Sequence, residues 1–248
     1  MNSKTLKARL KASGIHLSLS ALAFFIVLYF IVFLWYPNPH FSTNGGWQGV
    51  RIMLFVDIVL GPLLTLIIFN PEKSIKAILF DFTVIGTIQI SAFIWGIIAV
   101  NSQRPLAISF WEGRFYPVIM DDLKAGGVNP EQLKELSDQS PAIVYVRHPE
   151  TDEEEAGVIT YGFVEGKLEH QIFFLYSPLE KHIDELFEAS ISNSSTTDDK
   201  FQTNKTRWLE KTGMNEDELT FIPFLGSYGN SILILDRKGE LLDSITAK

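Results

Sequence analysis

Apolar and polar positions divide the chain at about residue 100. Before it, three apolar runs follow one another, from about Ile15 to Tyr36, Val50 to Phe69 and Ile75 to Val100. Each is near the ~20 residues that an α-helix needs to cross hydrocarbon. The first follows a basic segment, Lys4, Lys7, Arg9 and Lys11, so the start resembles a signal peptide. Its apolar stretch is too long for such a peptide, and no small-x-small cleavage site follows it. Trp35-Tyr36-Pro37 reads as an interfacial aromatic end and a helix stop, so a retained anchor is expected.

Beyond Pro105 the periods shorten. Leu106 to Trp111 and Arg114 to Ile119 read as strands around a Glu112-Gly113 turn. Asn129-Pro130-Glu131 sets a cap residue before a proline at the first helical position, predicting a helix over about Pro130 to Ser137. Ala142 to Val146 and Gln171 to Tyr176 read as strands. Ser177-Pro178 opens a helix to about Ala189, with Leu179, Ile183, Leu186 and Phe187 on one face. Ser190 to Thr203, rich in Ser, Thr, Asn and Asp, reads as a mobile loop, and a helix near Lys205 to Lys211 follows. The chain closes on strands at Leu219 to Phe224, Ser231 to Asp236 and Glu240 to Ile245. The last two are joined by the hairpin signal Asp236-Arg237-Lys238-Gly239. The expected architecture is a membrane protein with three transmembrane α-helices followed by a small α+β domain. Residues 1–14 form a tail, 15–100 the three-helix region and 101–248 the outer domain.

Basic residues set the orientation. Four lie in the tail and two, Lys73 and Lys76, in the link between the second and third runs; the Pro37 to Gly49 loop has none. The positive-inside rule then puts the tail and that link in the cytoplasm and residues 101–248 outside, in the periplasm of a Gram-negative cell. Residues 1–100 hold seven of the 21 basic and three of the 29 acidic side chains, which leaves the remainder at a net charge of −12. So acidic a domain argues against nucleic acid and against an anionic lipid surface. The absence of cysteine excludes thiolate metal sites, disulfides and cysteine nucleophiles.

The second run carries an acid, Asp57, near its middle, and Gly61-Pro62 four residues later. Both cost free energy in hydrocarbon unless a protein neighbour receives the polar groups. Asp57, Gly61 and Thr65 recur every four residues, so they share one helical ridge. Pro62 cannot donate to the Ile58 carbonyl, which predicts a free acceptor beside the carboxyl. The third run has a similar ridge, Thr83, Thr87 and Ser91, with Gln89 at bilayer depth and Asp81 near its start; the first offers His16, Ser18 and Ser20. Three uses are open: packing among the three helices, a face for a client helix, or a proton or ion path. The last is poorly served by one central acid with no intramembrane base and no internal repeat. A lone His16 near a membrane face reads as a satisfied polar group rather than a proton shuttle. Gly45, Gly46 and Trp47 predict a tight interfacial loop, the glycines supplying positive φ and Trp47 sitting at headgroup level.

The outer domain offers no catalytic set. His148, His170 and His182 lack ligand-like spacing, Gly226-Ser227-Tyr228-Gly229 is no nucleophile elbow, and Asp152 to Glu155 reads as a solvated face. No cofactor or metal is expected.

The first 120 residues resemble the TfpX/TfpZ-type type IV pilin accessory proteins. The resemblance is carried by Gly14-Ile15-His16-Leu17, Trp35-Tyr36-Pro37, Gly45-Gly46-Trp47-Gln48-Gly49, Asp57, Leu60 to Leu66, Phe69-Asn70-Pro71, Gln103-Arg104-Pro105 and Arg114 to Val118. It implies a bacterial inner-membrane protein that supports type IV pilus assembly by acting on a particular major pilin, with no catalytic residues to carry over. Such a pilin waits in the inner membrane on one apolar N-terminal helix, with a free amine and a Glu at its fifth position. Asp57 is placed to pair with that amine or share a proton with that Glu. The expected function is a chaperone that binds, stabilises or presents a specific major pilin. The alternatives are a membrane-bound enzyme modifying pilin and a periplasmic sensor acting through a separate partner. Self-association is left open.

Overall fold

The computed structural model describes residues 3–36, 40–191 and 199–246. They form two compact units: one within residues 1–37 and 46–101, the other within 38–45 and 102–248.

The first unit holds three helices long and apolar enough to cross a membrane, Ser3–Trp35, Gly46–Ile68 and Ile75–Ser102. Span one is α1 (Ser3–Phe30), closed by a π-helical turn over Ile31–Trp35. Its helix runs back through the basic segment, so most of the expected tail is helical. Pro37, the expected stop, lies outside the described residues; the Tyr36 N–H ends the turn on the Ile31 carbonyl at 2.9 Å. A short helix, α2 (His40–Thr43), belongs to the second unit. Span two is α3 (Gly46–Leu54), a π-helical stretch over Phe55–Leu60, and α4 (Gly61–Ile68). Span three is α5 (Ile75–Ser102), whose Asp81 pairs with Lys73 of the preceding link at 2.5 Å.

Spans two and three meet through glycines. A Cβ on Gly49 would stand 2.0 Å from Val100 Cγ2, and one on Gly96 2.9 Å from Met53 Cγ. At the same level the Tyr36 hydroxyl donates to the Val100 carbonyl at 2.7 Å, tying span one to span three.

The second unit is built on a seven-stranded mixed sheet in the order β4-β3-β1-β2-β5-β6-β7. The strands are β1 (Pro105–Trp111), β2 (Arg114–Ile119), β3 (Ala142–Val146), β4 (Tyr176–Pro178), β5 (Leu219–Leu225), β6 (Asn230–Asp236) and β7 (Leu241–Thr246). The β1–β2 hairpin turns on Glu112 and Gly113, both at positive φ. The β6–β7 hairpin turns on Gly239, with Asp236 Oδ1 accepting the Lys238 and Glu240 N–H groups at 2.8 and 2.9 Å. Around the sheet lie α6 (Met120–Ala125), α7 (Asp152–Thr160), α8 (Ile183–Glu188) and α9 (Asp199–Thr212). Period-two alternation sends Ile108, Phe110, Ile143, Ile222 and Phe224 to one face, under Leu179 and Leu186. Ala107, Val118 and Val144 go to the other face, under Leu123 and Leu175, where α9 covers Phe221 and Ile234 with Phe201 and Trp208.

Four expectations change. The helix after Asn129 is a capped 3₁₀ turn, Pro130–Glu135. Gln171 to Leu175 is no strand but falls in two 3₁₀ turns, Glu169–Gln171 and Phe173–Leu175, in which Ile172 and Leu175, three apart, are buried; only Tyr176 is strand, opening β4. Ser177-Pro178 ends β4 instead of opening a helix, and the helical turns begin at Leu179. Of the expected loop from Ser190 to Thr203, residues 192–198 lie outside the described residues, and α9 starts at Asp199, ahead of the expected Lys205. The Asp152 to Glu155 run is the first turn of α7, with Thr151 Oγ1 accepting the Glu154 N–H at 3.2 Å. Four acids there suit the positive end of a helix.

Candidate functional site

Polar groups from spans one and two converge on Gln89 of span three. Its Oε1 lies 2.8 Å from His16 Nε2, and its Nε2 donates to Ser20 Oγ at 3.2 Å and to the Asp57 carbonyl at 3.3 Å. The other imidazole nitrogen, His16 Nδ1, meets Thr65 Oγ1 at 2.6 Å. Ser13 Oγ donates to the Pro62 carbonyl at 2.8 Å. One amide thus links all three spans.

The π-helical stretch explains why Gln89 can reach that carbonyl. In this register the Gly61 N–H bonds the Val56 carbonyl, five residues back. The carbonyl facing Pro62 is then that of Asp57 rather than Ile58, and proline has no N–H to give it. Gln89 supplies the missing donor. Gly61 makes the approach possible, because a Cβ there would lie 2.3 Å from Gln89 Nε2.

Asp57 is buried at 4% exposure, and its Oδ2 has no hydrogen-bond partner among the described residues. It lines a groove of about 310 Å³ with His16, Ser20 and Gln89 as the other polar groups and Leu19, Ala23, Gly86, Ile90 and Phe93 as apolar walls. A second cavity of about 360 Å³, lined by Ala12, Ile15, Phe82 and Ile85, shares His16, Leu19 and Gly86 with it. Span one packs on span two, so a channel with a polar floor stays open between spans one and three.

The structure brings Asp57, Gly61, Pro62 and Thr65 together, all four buried. Thr83, Thr87 and Ser91 point outward from span three, away from that network, and the Thr83 hydroxyl donates back to the Leu79 carbonyl. Gly45 has the positive φ expected of it, +91°. Gly46 and Trp47 are already helical, in the first turn of α3, where the Arg51 guanidinium lies 5.6 Å from the Trp47 ring centroid. His16 and Gln89, the hub, were not on the predicted ridge. Their signal is chemical: an amide and an imidazole at bilayer depth must find partners.

Residues 40–45 fold into the second unit. The Thr43 carbonyl accepts the Tyr228 N–H at 2.8 Å, Asn44 Oδ1 accepts the Ser227 N–H at 3.4 Å, and the His40 ring lies edge-on to Phe224 at 5.5 Å. With its oxygen so used, Asn44 presents Nδ2 to His40 Nδ1 at 3.2 Å. Nδ1 is therefore the acceptor, and the proton sits on Nε2, which is buried and unpartnered among the described residues. Burial pushes the His40 pKa down to about 4.

One arrangement in the second unit has catalytic connectivity. Ser177 Oγ lies 3.2 Å from His182 Nε2, and His182 Nδ1 3.1 Å from Glu185 Oε1, while Tyr145 stacks on the imidazole at 3.7 Å. Hydrogen bonds from Tyr145 and His182 hold the Glu185 carboxyl below its usual range. The residue after Ser177 is Pro178, however, so the N–H that commonly steadies an oxyanion next to a serine nucleophile is missing. The set reads as a junction between β4 and α8. Among the described residues no group of three or more potential ligands could hold a metal ion.

The model of the family described as fimbrial assembly protein FimB matches residues 4–45. A fimbrial assembly protein of Dichelobacter nodosus, serogroup I, is 27% identical over 99% of this chain and 97% of its own length. Another from that organism, serogroups C1 and C2, is 37% identical over 110 residues, which are 44% of this chain and 84% of that protein. No solved structure matches. An acid with one oxygen unpartnered among the described residues, in an intramembrane groove, therefore sits in a chain whose relatives are named for assembling fimbriae, and the chain belongs to the fimbrial assembly protein family.

Proposed function

We propose that this protein is an inner-membrane accessory protein of type IV pilus assembly, of the TfpX/TfpZ type. It holds a major pilin before polymerisation by receiving the pilin's apolar N-terminal helix in the groove between spans one and three. The basic residues of the tail and of the Lys73–Lys76 link support an N-terminus in the cytoplasm and residues 101–248 in the periplasm. Asp57 Oδ2 carries the reading. A buried carboxyl oxygen without a donor costs about 1–3 kcal/mol or more, and a free amine or a protonated carboxyl of the client would satisfy it.

Photo-crosslinking residues placed at Leu19 and Ile90, in the groove wall, are expected to capture pilin, and one at the outward Ile67 is not. Gly86→Leu is expected to abolish capture, because a Cβ at Gly86 meets nothing within 4 Å and the longer side chain fills the groove instead of the helix contacts. Capture at Ile67 but not at Leu19 would sink the groove. The enzyme alternative predicts a mass change on pilin when this protein is present; an unchanged mass removes it.

A further inference from the structure

The second unit exposes an apolar patch that its own fold leaves uncovered. Phe163 is 89% exposed, Val164 71%, and Ile159 and Leu168 each 59%. They run from the last turn of α7, which holds Ile159, through a π-helical turn, Tyr161–Glu165, that ends on Gly166 at φ +62°, to Leu168 just beyond it. Beside Phe163 lies a hollow of about 340 Å³ whose floor is Val158 and Gly162 and whose edge is Leu168. Four large apolar side chains in one exposed stretch of an acidic domain mark a contact surface rather than ordinary scatter.

The stretch is held rigid from beneath. Val158 and Tyr161 pack on the core. A Cβ on Gly157 would come 3.1 Å from the Phe174 ring. Arg147 forks onto the Glu154 carboxylate at the start of α7. At the far end Lys167 Nζ and Gln171 Nε2 both donate to the buried Asp122 Oδ1 at 2.8 Å. The patch is presented in a fixed shape, which lowers the entropy cost of docking.

Its rim selects the occupant. Glu155 lies one helical turn before Ile159, and Glu165 and Glu169 follow Phe163; the nearby lysine, Lys167, is neutralised by Asp122. Acids against anionic headgroups repel, and two copies meeting patch to patch would oppose acid to acid. We propose that this patch docks the globular head of the pilin through an apolar socket rimmed by Lys and Arg. The inference rests on the reading above, that pilin is the client, and adds a second, extramembrane grip on it.

The test uses the full-length protein in cells that make pilin, with a photo-crosslinking residue at Phe163 and, separately, at Leu19. The Phe163 probe is expected to capture pilin. Glu155→Lys with Glu165→Lys is expected to cut that adduct roughly tenfold, through lost charge matching, without changing the Leu19 adduct. Pilin at Leu19 but not at Phe163 overturns the patch and leaves the groove standing. Pilin at Phe163 but not at Leu19 supports the patch and removes the groove. Pilin at neither removes both. A Phe163 adduct with a second copy of this chain or with lipid, or a pilin adduct indifferent to charge reversal, also overturns the patch.

Discussion

Asp57 and His40 each leave one buried polar atom unpaired among the described residues, and the two atoms have different consequences. For Asp57 the test is stability against function. If Oδ2 waits for a client, Asp57→Leu removes an uncompensated group and leaves the first unit as stable or more stable, by about 1–3 kcal/mol, while pilin capture falls. If Asp57 only packs the bundle, the same change destabilises it. Chemical denaturation in detergent, read beside crosslinking at Leu19, separates the two. Gln89→Leu should behave oppositely, because it strips partners from His16, Ser20 and the Asp57 carbonyl at once. A loss of about 1–3 kcal/mol is expected there. For His40 the test is pH. Its folded pKa, about 4, lies below the ordinary value of 6.5, so the unfolded chain binds the extra proton between those values. This contribution is complete above pH 6.5 and is lost as pH falls toward 4, by up to roughly 3 kcal/mol. Melting of the wild type and of His40→Leu from pH 7.5 to pH 4 should show a steeper loss in the wild type. Parallel curves would contradict the lowered pKa of His40.

At the level of elements, close helix contact depends on glycines that sequence spacing alone does not rank. Gly49→Ala would push a Cβ to 2.0 Å from a buried, β-branched valine that cannot swing away, and should destabilise the pairing of spans two and three. Gly14→Ala, with nothing within 4 Å, should be neutral or slightly stabilising by helix propensity. Comparing their thermal stabilities in detergent checks whether spans two and three pack as described. The same distinction explains what was legible in the chain. The three spans and strands β1, β2, β3, β5, β6 and β7 follow from periods that a linear pattern carries. The Asp57–Gly61–Thr65 ridge was legible for the same reason. The π-helical register of span two was not, so the free carbonyl was placed on Ile58 instead of Asp57. The Gln89 hub depends on a side chain crossing to two other helices, which no spacing within α5 encodes. The stretch from Gln171 to Leu175 has strand-like composition, yet its buried positions, Ile172 and Leu175, follow period three. α7 left a readable signal, Thr151 with Glu154 three residues on, that its run of acids disguised as a solvated face.

Across the whole molecule, charge is distributed as a membrane protein of this orientation would have it: four basic residues in the first turns of span one, two at the link into span three, and a net of −12 after residue 100. The acidic part contains the apolar patch at Phe163, so the same charge that turns this domain from anionic lipid would attract a basic partner. Both readings require residues 101–248 to lie outside the cytoplasm, where a pilin head would be. The cysteine-free sequence makes this directly testable, since any single cysteine introduced is the chain's sole thiol. Lys134→Cys stands on an exposed turn of the second unit, Ser74→Cys in the exposed link between spans two and three, and Lys7→Cys on the exposed side of α1. A membrane-impermeant maleimide added to intact spheroplasts should label Lys134→Cys alone, and all three after the membrane is opened. The tail supplies four of the six basic residues that set this orientation, so neutralising Lys4, Lys7, Arg9 and Lys11 together should leave part of the population with the reverse pattern. Labelling of Ser74→Cys in intact spheroplasts of the unaltered background would invert the topology. It would also remove the pilin head from reach of the patch, and with it the second grip, while leaving the intramembrane groove to be judged by its own crosslinks.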